Sequence, residues 1–368
     1  LVPTVERRIL VVCIDGLGPE YLAAAHTPVL DSLAGGPALG RSALPSGTNV
    51  NNASIITGTP PRLHGITANY WLDRRTGQEQ YMESPDFLLR PTLLEQAKRL
   101  GMTTALLTSK AKLLHLLDSG ADFSCSAEAP PTHLIEVAGP APGIYSPGVN
   151  LWLLEALRVV MREQDPGLVY CSTTDGVMHR HAPEDEESVR HVEGRDARLG
   201  RILEDRPDRE VYITADHGMS AKKRGVDLQQ VLARAGIASR ALPIIRDRYV
   251  AHHQNLGGAA YVYLERPEQA AEAVQALREC PGVEEVHTRE EAERELDLMP
   301  ARIGDLVVLG EADTVFGEFP ETPIEVRVRT HGSRHESIVP LYWTGEVRLP
   351  SEPHNYDLTA GLLEGARS

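Results

Sequence analysis

Three hydrophobic runs in this 368-residue chain each close on an aspartate: RILVVCID on Asp15, GLVYCSTTD on Asp175 and EVYITAD on Asp216. The runs are continuous and rich in β-branched residues rather than alternating, the pattern of strands buried on both faces of a parallel sheet. In such a sheet the carboxyl ends of the strands line the ligand crevice. Acids gathered there repel one another unless something neutralises them, and divalent cations do this well. A single strand-end aspartate reads equally well as a helix cap. Three together, two of them with a histidine close by, read as metal ligands.

The histidine spacings carry that reading further. Asp175 precedes His179 by four residues, so a carboxylate and an imidazole can meet at one ion across a single turn. Asp216 runs directly into His217 and Gly218, and His331-Gly332 follows later and can close the set. An Asp/His donor set without thiolate suits zinc, manganese or iron in a catalytic site. The other histidines (His26, His64, His115, His133, His181, His252, His253, His287, His335 and His354) read as structural or solvent-facing.

A hydroxyl and two amines complete the candidate chemistry. Pro45-Ser46-Gly47 interrupts the chain, and Thr48 opens a run that reads as a helix ending near Gly58. A hydroxyl at a helix N-terminus meets free backbone N–H groups and the positive end of the dipole, which favours an alkoxide and a bound anion. Taken alone, Thr48 reads as an ordinary cap. LLTSKAKLL places Lys110 and Lys112 immediately after another apolar strand, 103–108. In an extended segment both ammonium groups face one anion.

These residues need a scaffold of alternating strands and helices. LWLLEALRVVMRE at 151–163 is a strongly amphipathic helix, and YLAAAHTPVLDSLAGG has helical periodicity from Tyr21 with a stop at Gly35-Gly36. The class is α/β with a largely parallel sheet. Between His217 and His331 the texture shifts to shorter, more charged elements (AAYVYLE, PEQAAEAVQALREC, VEEVHT, GDLVVLG). Residues 221–325 read as a smaller inserted α+β cap on a core of 1–220 and 326–368. EDEES at 184–188 reads as a solvated helix start.

Composition narrows the partners. Hydrophobic residues make up 42% and charged residues 24%, the balance of a globular protein. A net charge of −15 argues against nucleic acid and requires any anion site to be built locally. No stretch has the length of an apolar membrane span, and no signal peptide is visible. Cys13, Cys125, Cys171 and Cys280 are scattered, which points to a reducing, cytoplasmic setting.

In order and spacing, Asp15, the threonine of PSGTNVNN, the asparagine of HGITANYW, Asp175-x-x-x-His179, Asp216-His217-Gly218 and His331-Gly332 resemble the alkaline phosphatase superfamily, most of all its phosphodiesterase and phosphonoacetate hydrolase branch. The resemblance covers nearly the whole chain. It implies a central, mostly parallel sheet flanked by helices, with an inserted cap. It implies two divalent ions, zinc first and manganese or iron also accepted. One would be held by Asp175, His179 and His331, the other by Asp15, Asp216, His217 and the Thr48 oxygen. Thr48 would be the nucleophile and form a phospho-threonine, with Asn69 donating to a phosphoryl oxygen. Two ions about 4 Å apart can clamp an in-line displacement.

Lys110 and Lys112 look like the lysine pair that binds the substrate carboxylate in phosphonoacetate hydrolases. Nucleotide phosphodiesterases of the superfamily carry an aromatic residue after the nucleophile; here that position is Asn49. The implied reaction is hydrolysis of the C–P bond of phosphonoacetate, or a close phosphonate, to acetate and phosphate. The alternative is a phosphodiesterase or phosphomonoesterase acting on a small ester. Gly47 and Val50 depart from the family's residues, and His335 stands at a variable place. The partner is a small-molecule phosphonate or phosphate ester, and a homodimer is compatible with the sequence.

Overall fold

The computed structural model describes residues 7–33 and 37–364. Seven strands form one sheet in the spatial order Ala38–Arg41, Ile338–Trp343, Glu210–Thr214, Ile9–Cys13, Leu168–Ser172, Thr104–Thr108, Phe123–Ser126. The five strands from Glu210–Thr214 to Phe123–Ser126 run parallel, and Ile338–Trp343 is antiparallel to both its neighbours. The α/β expectation therefore holds. Alternation along Ile9–Cys13 shows why the run is apolar throughout. Leu10 and Val12 enter the cluster under the helices Val149–Glu163 and Glu186–Asp205, while Ile9, Val11 and Cys13 enter the cluster on the opposite face.

The parallel strands end flush. Cys13 pairs with both Ser172 and Thr214, and Thr108 pairs with Ser172. The chain segments carrying Lys110, Asp175, Asp15 and Asp216 all leave the sheet just beyond that row. The strands stop two or three residues before each aspartate rather than on it, so the acids sit on short loops.

A second, four-stranded antiparallel sheet is built from Ser239–Pro243, Ala259–Leu264, Leu306–Gly310 and Val283–Thr288 in that spatial order. One face packs against Leu228, Leu232, Ala273 and Leu277 of two helices. The other shares a cluster with Leu44, Ala68 and Tyr70, close in sequence to Thr48 and Asn69. A three-stranded sheet with Ser220–Val226 at its centre includes Ile324–Thr330, which leads straight into His331.

Two local expectations change. The helical periodicity from Tyr21 yields two short helices, Pro19–Ala24 and Pro28–Ser32, because Pro28 has no N–H to continue the first; the Gly35-Gly36 stop lies outside the described residues. The segment after Thr104–Thr108 is not extended: Lys110 is the N-cap and Lys112 lies in the first turn of the helix Ala111–Leu117. EDEES does open a helix, with Asp185 as N-cap and residues 184–186 exposed. No helix among the described residues is long and apolar enough to cross a membrane.

Candidate active site

The aspartate loops are pinned by buried hydrogen bonds from neighbouring elements. The Asp15 N–H donates to Thr173 Oγ1 at 3.0 Å, and Asn150, at the start of the helix Val149–Glu163, holds Thr174 through both its N–H and its carbonyl at 2.8 and 2.6 Å. Gly16 and His217 donate backbone N–H groups to Asp216 Oδ1 at 3.1 and 3.0 Å. Gly16 has φ of +75°, and a Cβ there would lie 2.9 Å from the Asp175 Cβ. Only glycine lets the first two aspartate loops approach this closely.

Thr48 is the first residue of the helix Thr48–Thr57, with Gly47 rather than Thr48 as N-cap and Gly58 in the left-handed C-cap. Ser46 locks this turn to the His331 loop: its N–H donates to the Gly332 carbonyl at 3.2 Å and its hydroxyl to the Ser333 carbonyl at 2.8 Å.

The three expected histidine ligands share one arrangement. Nδ1 of His179 lies 2.7 Å from the Arg329 carbonyl, Nδ1 of His217 lies 2.9 Å from that of Gly218, and Nδ1 of His331 lies 2.6 Å from that of Ser46. A carbonyl can only accept, so in each ring the proton is on Nδ1 and Nε2 presents a bare lone pair. Those lone pairs face carboxylates. His179 Nε2 is 2.9 Å and His331 Nε2 3.6 Å from Asp175 Oδ2; His217 Nε2 is 3.4 Å from Asp15 Oδ1 and 3.6 Å from Asp216 Oδ2. The Thr48 hydroxyl donates to His217 Nε2 at 3.2 Å.

All seven expected ligand residues are thus brought together. Potential ligand atoms of Asp175, His217 and His331 fall within 4.8 Å of one another, as do those of Asp15, Asp216 and His217, so His217 joins the two groups. Both Asp15 carboxylate oxygens, Asp175 Oδ2 and His179 Nε2 are buried without a hydrogen-bond partner. Buried acceptors facing acceptors are costly unless a cation lies between them. This donor set therefore fits divalent metal ions.

The electrostatics agree. Burial, and then the charges of Asp175 and Asp216, push the Asp15 carboxyl well above the usual range. Burial and Asp175 raise Asp216 to about 7. Burial also acts to raise Asp175, but the Lys110 ammonium opposes it, and the carboxyl is held well below the usual range. Burial lowers His217 below its ordinary value and His331 well below it, which favours the neutral form of both rings.

Lys110 and Lys112 do converge, although the segment is helical. The Lys110 ammonium lies 3.3 Å from Asp175 Oδ1 and 3.7 Å from Asp15 Oδ2, while that of Lys112 pairs with Asp247. Both sit over the ring of Tyr249, 5.7 and 5.4 Å from its centroid. Tyr249 is itself held by its hydroxyl, which donates to Glu128 at 2.6 Å. Asn69 donates to Asp247 Oδ2 at 3.3 Å.

Sequence reasoning missed several residues here. Asn52 bridges the Thr48 carbonyl at 3.0 Å and Asp216 Oδ2 at 3.2 Å. It lies four residues after Thr48, so helical spacing is a signal that could have found it. Asp247, Tyr249, His252 and His253 arrive from the 239–264 region, and the two histidines are not solvent-facing. His252 is buried with neither ring nitrogen partnered, and its ring is stacked 6.1 Å from that of His179. Burial, then Lys110, depresses His252 to about 3.

Residues 9–335 match the model of the type I phosphodiesterase / nucleotide pyrophosphatase family. The chain belongs to that family. Its fold is alkaline-phosphatase-like and matches the phosphonoacetate hydrolase of Sinorhizobium meliloti, solved with phosphonoacetate, at a TM-score of 0.88 and 30% identity over 98% of this chain and 96% of that one. Human ectonucleotide pyrophosphatase / phosphodiesterase 5 shares the fold at a TM-score of 0.71 and 15% identity, over 98% of this chain and 95% of that one. An uncharacterised pyrophosphatase/phosphodiesterase of Schizosaccharomyces pombe is 26% identical over 235 residues, which is 58% of this chain but only 45% of the length of that protein. Family and donor set together make this type I phosphodiesterase family member a metal-dependent hydrolase of the alkaline phosphatase superfamily.

Proposed function

We propose that the chain hydrolyses the C–P bond of phosphonoacetate, or a close phosphonate, to acetate and phosphate, with Thr48 as nucleophile. The observation that carries this reading is that the buried ammonium groups of Lys110 and Lys112 both lie over the ring of Tyr249, with Lys110 beside Asp15 and Asp175. Cleaving C–P leaves the electron pair on carbon, which is tolerable only if the charge spreads onto a neighbouring carboxylate. Two buried ammonium groups facing that carboxylate stabilise the charge as it develops. The S. meliloti relative, whose structure holds phosphonoacetate, supports the same substrate.

Thr48 Oγ1 attacks phosphorus and gives up its hydroxyl proton to solvent, the P–C bond breaks with its electron pair on carbon, and the carbon leaving group takes a proton from water to become acetate. Water then hydrolyses the phospho-threonine and releases phosphate. Asn69 orients a phosphoryl oxygen, and Asn52 fixes Thr48 relative to Asp216. Divalent ions held by Asp175, His179 and His331, and by Asp15, Asp216, His217 and Thr48, would supply Lewis-acid charge to the Thr48 oxygen and the phosphoryl group. Zinc is our first assignment; manganese or iron suits the same donors. In this reading 1–220 and 326–368 form the catalytic core, and 221–325 is an inserted cap that walls the pocket.

The family match favours a second reading, a phosphoric ester hydrolase. Asn49 gives that reading no aromatic platform for a nucleobase: its Nδ2 donates to the Met82 carbonyl at 2.9 Å. The test compares phosphonoacetate with an aryl phosphate ester, using Thr48→Ala as the background. Lys112→Ala, which touches no metal-binding carboxylate, should lower kcat/KM on phosphonoacetate by about 10–100-fold, the scale of a charged hydrogen bond. The loss on the aryl ester should be several-fold smaller. A wild-type enzyme that prefers the aryl ester, with equal losses in the variant, favours the ester reading.

A further inference from the structure

The contacts of Asp247 concern the distance between the two ends of a substrate. Asp247 lies between the strand Ser239–Pro243 and the short helix Val250–His253, with its carboxylate buried. Oδ1 accepts from the Tyr249 N–H at 2.7 Å and from His253 Nε2 at 2.8 Å. The His253 tautomer is fixed, because its Nδ1 accepts the Asn255 N–H at 3.0 Å. Oδ2 accepts from the Lys112 ammonium and from Asn69 Nδ2, the latter at 3.3 Å. Two donors on each oxygen use the acceptor capacity of a carboxylate, so Asp247 acts through its partners. Burial acts to raise its pKa, but Lys112 and His253 outweigh that and hold it ionised.

Lys112 comes from the helix after Thr104–Thr108, and Asn69 from the segment leading into Tyr70–Asp73. Both meet on Oδ2. Each spends one N–H there and keeps others: two on the ammonium and one on the amide. Under the reading above, Lys112 serves the carboxylate end of the substrate and Asn69 the phosphoryl end.

We infer that Asp247 is a positioning residue that sets the spacing between the carboxylate-binding and phosphoryl-binding groups, and so selects substrates by the length between their two anionic ends. This rests on the proposed function for the roles of Lys112 and Asn69. It goes beyond that proposal in assigning length discrimination to a carboxylate from the second sheet's region.

The test is calorimetric titration of the zinc-loaded full chain with inorganic phosphate, phosphonoformate, phosphonoacetate and 3-phosphonopropionate, every protein, whether wild type or variant at Asp247, carrying Thr48→Ala so that phosphonoacetate is bound without being cleaved. Wild type should bind phosphonoacetate about tenfold more tightly than the shorter and longer carboxylates. Asp247→Asn places an NH2 group against one pair of donors. It should weaken phosphonoacetate about tenfold, bring the three carboxylates within about threefold of one another, and change phosphate less. Asp247→Glu keeps the charge but moves both donors by a methylene, and should also lose the phosphonoacetate preference. Thermal unfolding of each variant reports whether it is folded, and either folded variant decides the question. A wild type that binds the three carboxylates equally, variants that keep the wild-type ladder, or a uniform shift of all four anions each overturn the inference. Hydrolysis is read separately: an intact, Asp247-dependent ladder without C–P cleavage sinks the proposed function alone, and C–P cleavage with an Asp247-independent ladder sinks the positioning role alone.

Discussion

His179 Nε2 lies 2.9 Å from Asp175 Oδ2, and neither atom can donate to the other. The imidazole proton is on Nδ1, facing the Arg329 carbonyl, and both side chains are buried. Two lone pairs at this distance define a place for a cation. His179→Ala should therefore reduce bound metal, measured by elemental analysis of dialysed protein, from about two ions per chain toward one. Chelation of the wild type should lower Tm by several degrees, since an ion present at a hundred times its Kd contributes about 2.7 kcal/mol to stability. Adding the metal back should restore it. A Tm indifferent to chelator, with no metal retained on purification, would remove the basis of the site.

Gly16 offers a test of how tightly the loops are packed. Alanine there meets both a left-handed backbone and the Asp175 Cβ at 2.9 Å. Gly77 has φ of +70° with nothing within 4 Å of an added Cβ, so it isolates the backbone cost. Gly77→Ala should cost about 1–2 kcal/mol by denaturant unfolding and leave turnover intact. Gly16→Ala should cost more than that, and should lose activity because Asp175 has to move. Equal costs with equal activity would show that the Asp175 loop yields freely.

Much of this site was legible because strand ends are legible. Continuous β-branched runs ending near Asp15, Asp175 and Asp216 fix both the parallel sheet and the edge on which chemistry gathers, and the flush register follows from three such strands side by side. What the sequence concealed are contacts made across long separations. The lysines converge by lying at the start of a helix beneath Tyr249, not by alternating along a strand, and a two-residue spacing cannot tell those geometries apart. Asp247 and His253 belong to a charged stretch, RDRYVAHH, with no strand-end signature; only packing of the second sheet against Leu44, Ala68 and Tyr70 brings that stretch to the site. Pro28 should have divided the early helix on local grounds alone. His64, read as structural or solvent-facing, is fully buried, and its environment has a measurable consequence.

That consequence is acid sensitivity. The Ile66 N–H donates to His64 Nδ1 at 3.1 Å, so the ring proton is on Nε2 and donates to Ser54 Oγ at 2.8 Å. Ser54 in turn donates to the Val50 carbonyl at 3.0 Å, tying His64 to the helix that begins at Thr48. A second proton on Nδ1 would point at the Ile66 N–H. Burial, and then Arg302, lower His64 from 6.5 to about 3. Between those values the unfolded chain binds a proton that the native protein refuses. The contribution of neutral His64 is therefore complete above 6.5 and is lost progressively as pH falls toward about 3. His64→Gln lacks this titration and keeps the same metal ligands, so those titrations cancel in the comparison. The stability advantage of wild type over His64→Gln should shrink by about 1.4 kcal/mol per pH unit as urea unfolding is repeated from near neutrality into the acid range. A pH-independent difference would mean that His64 is protonated in the native state and that its partners are other than those described.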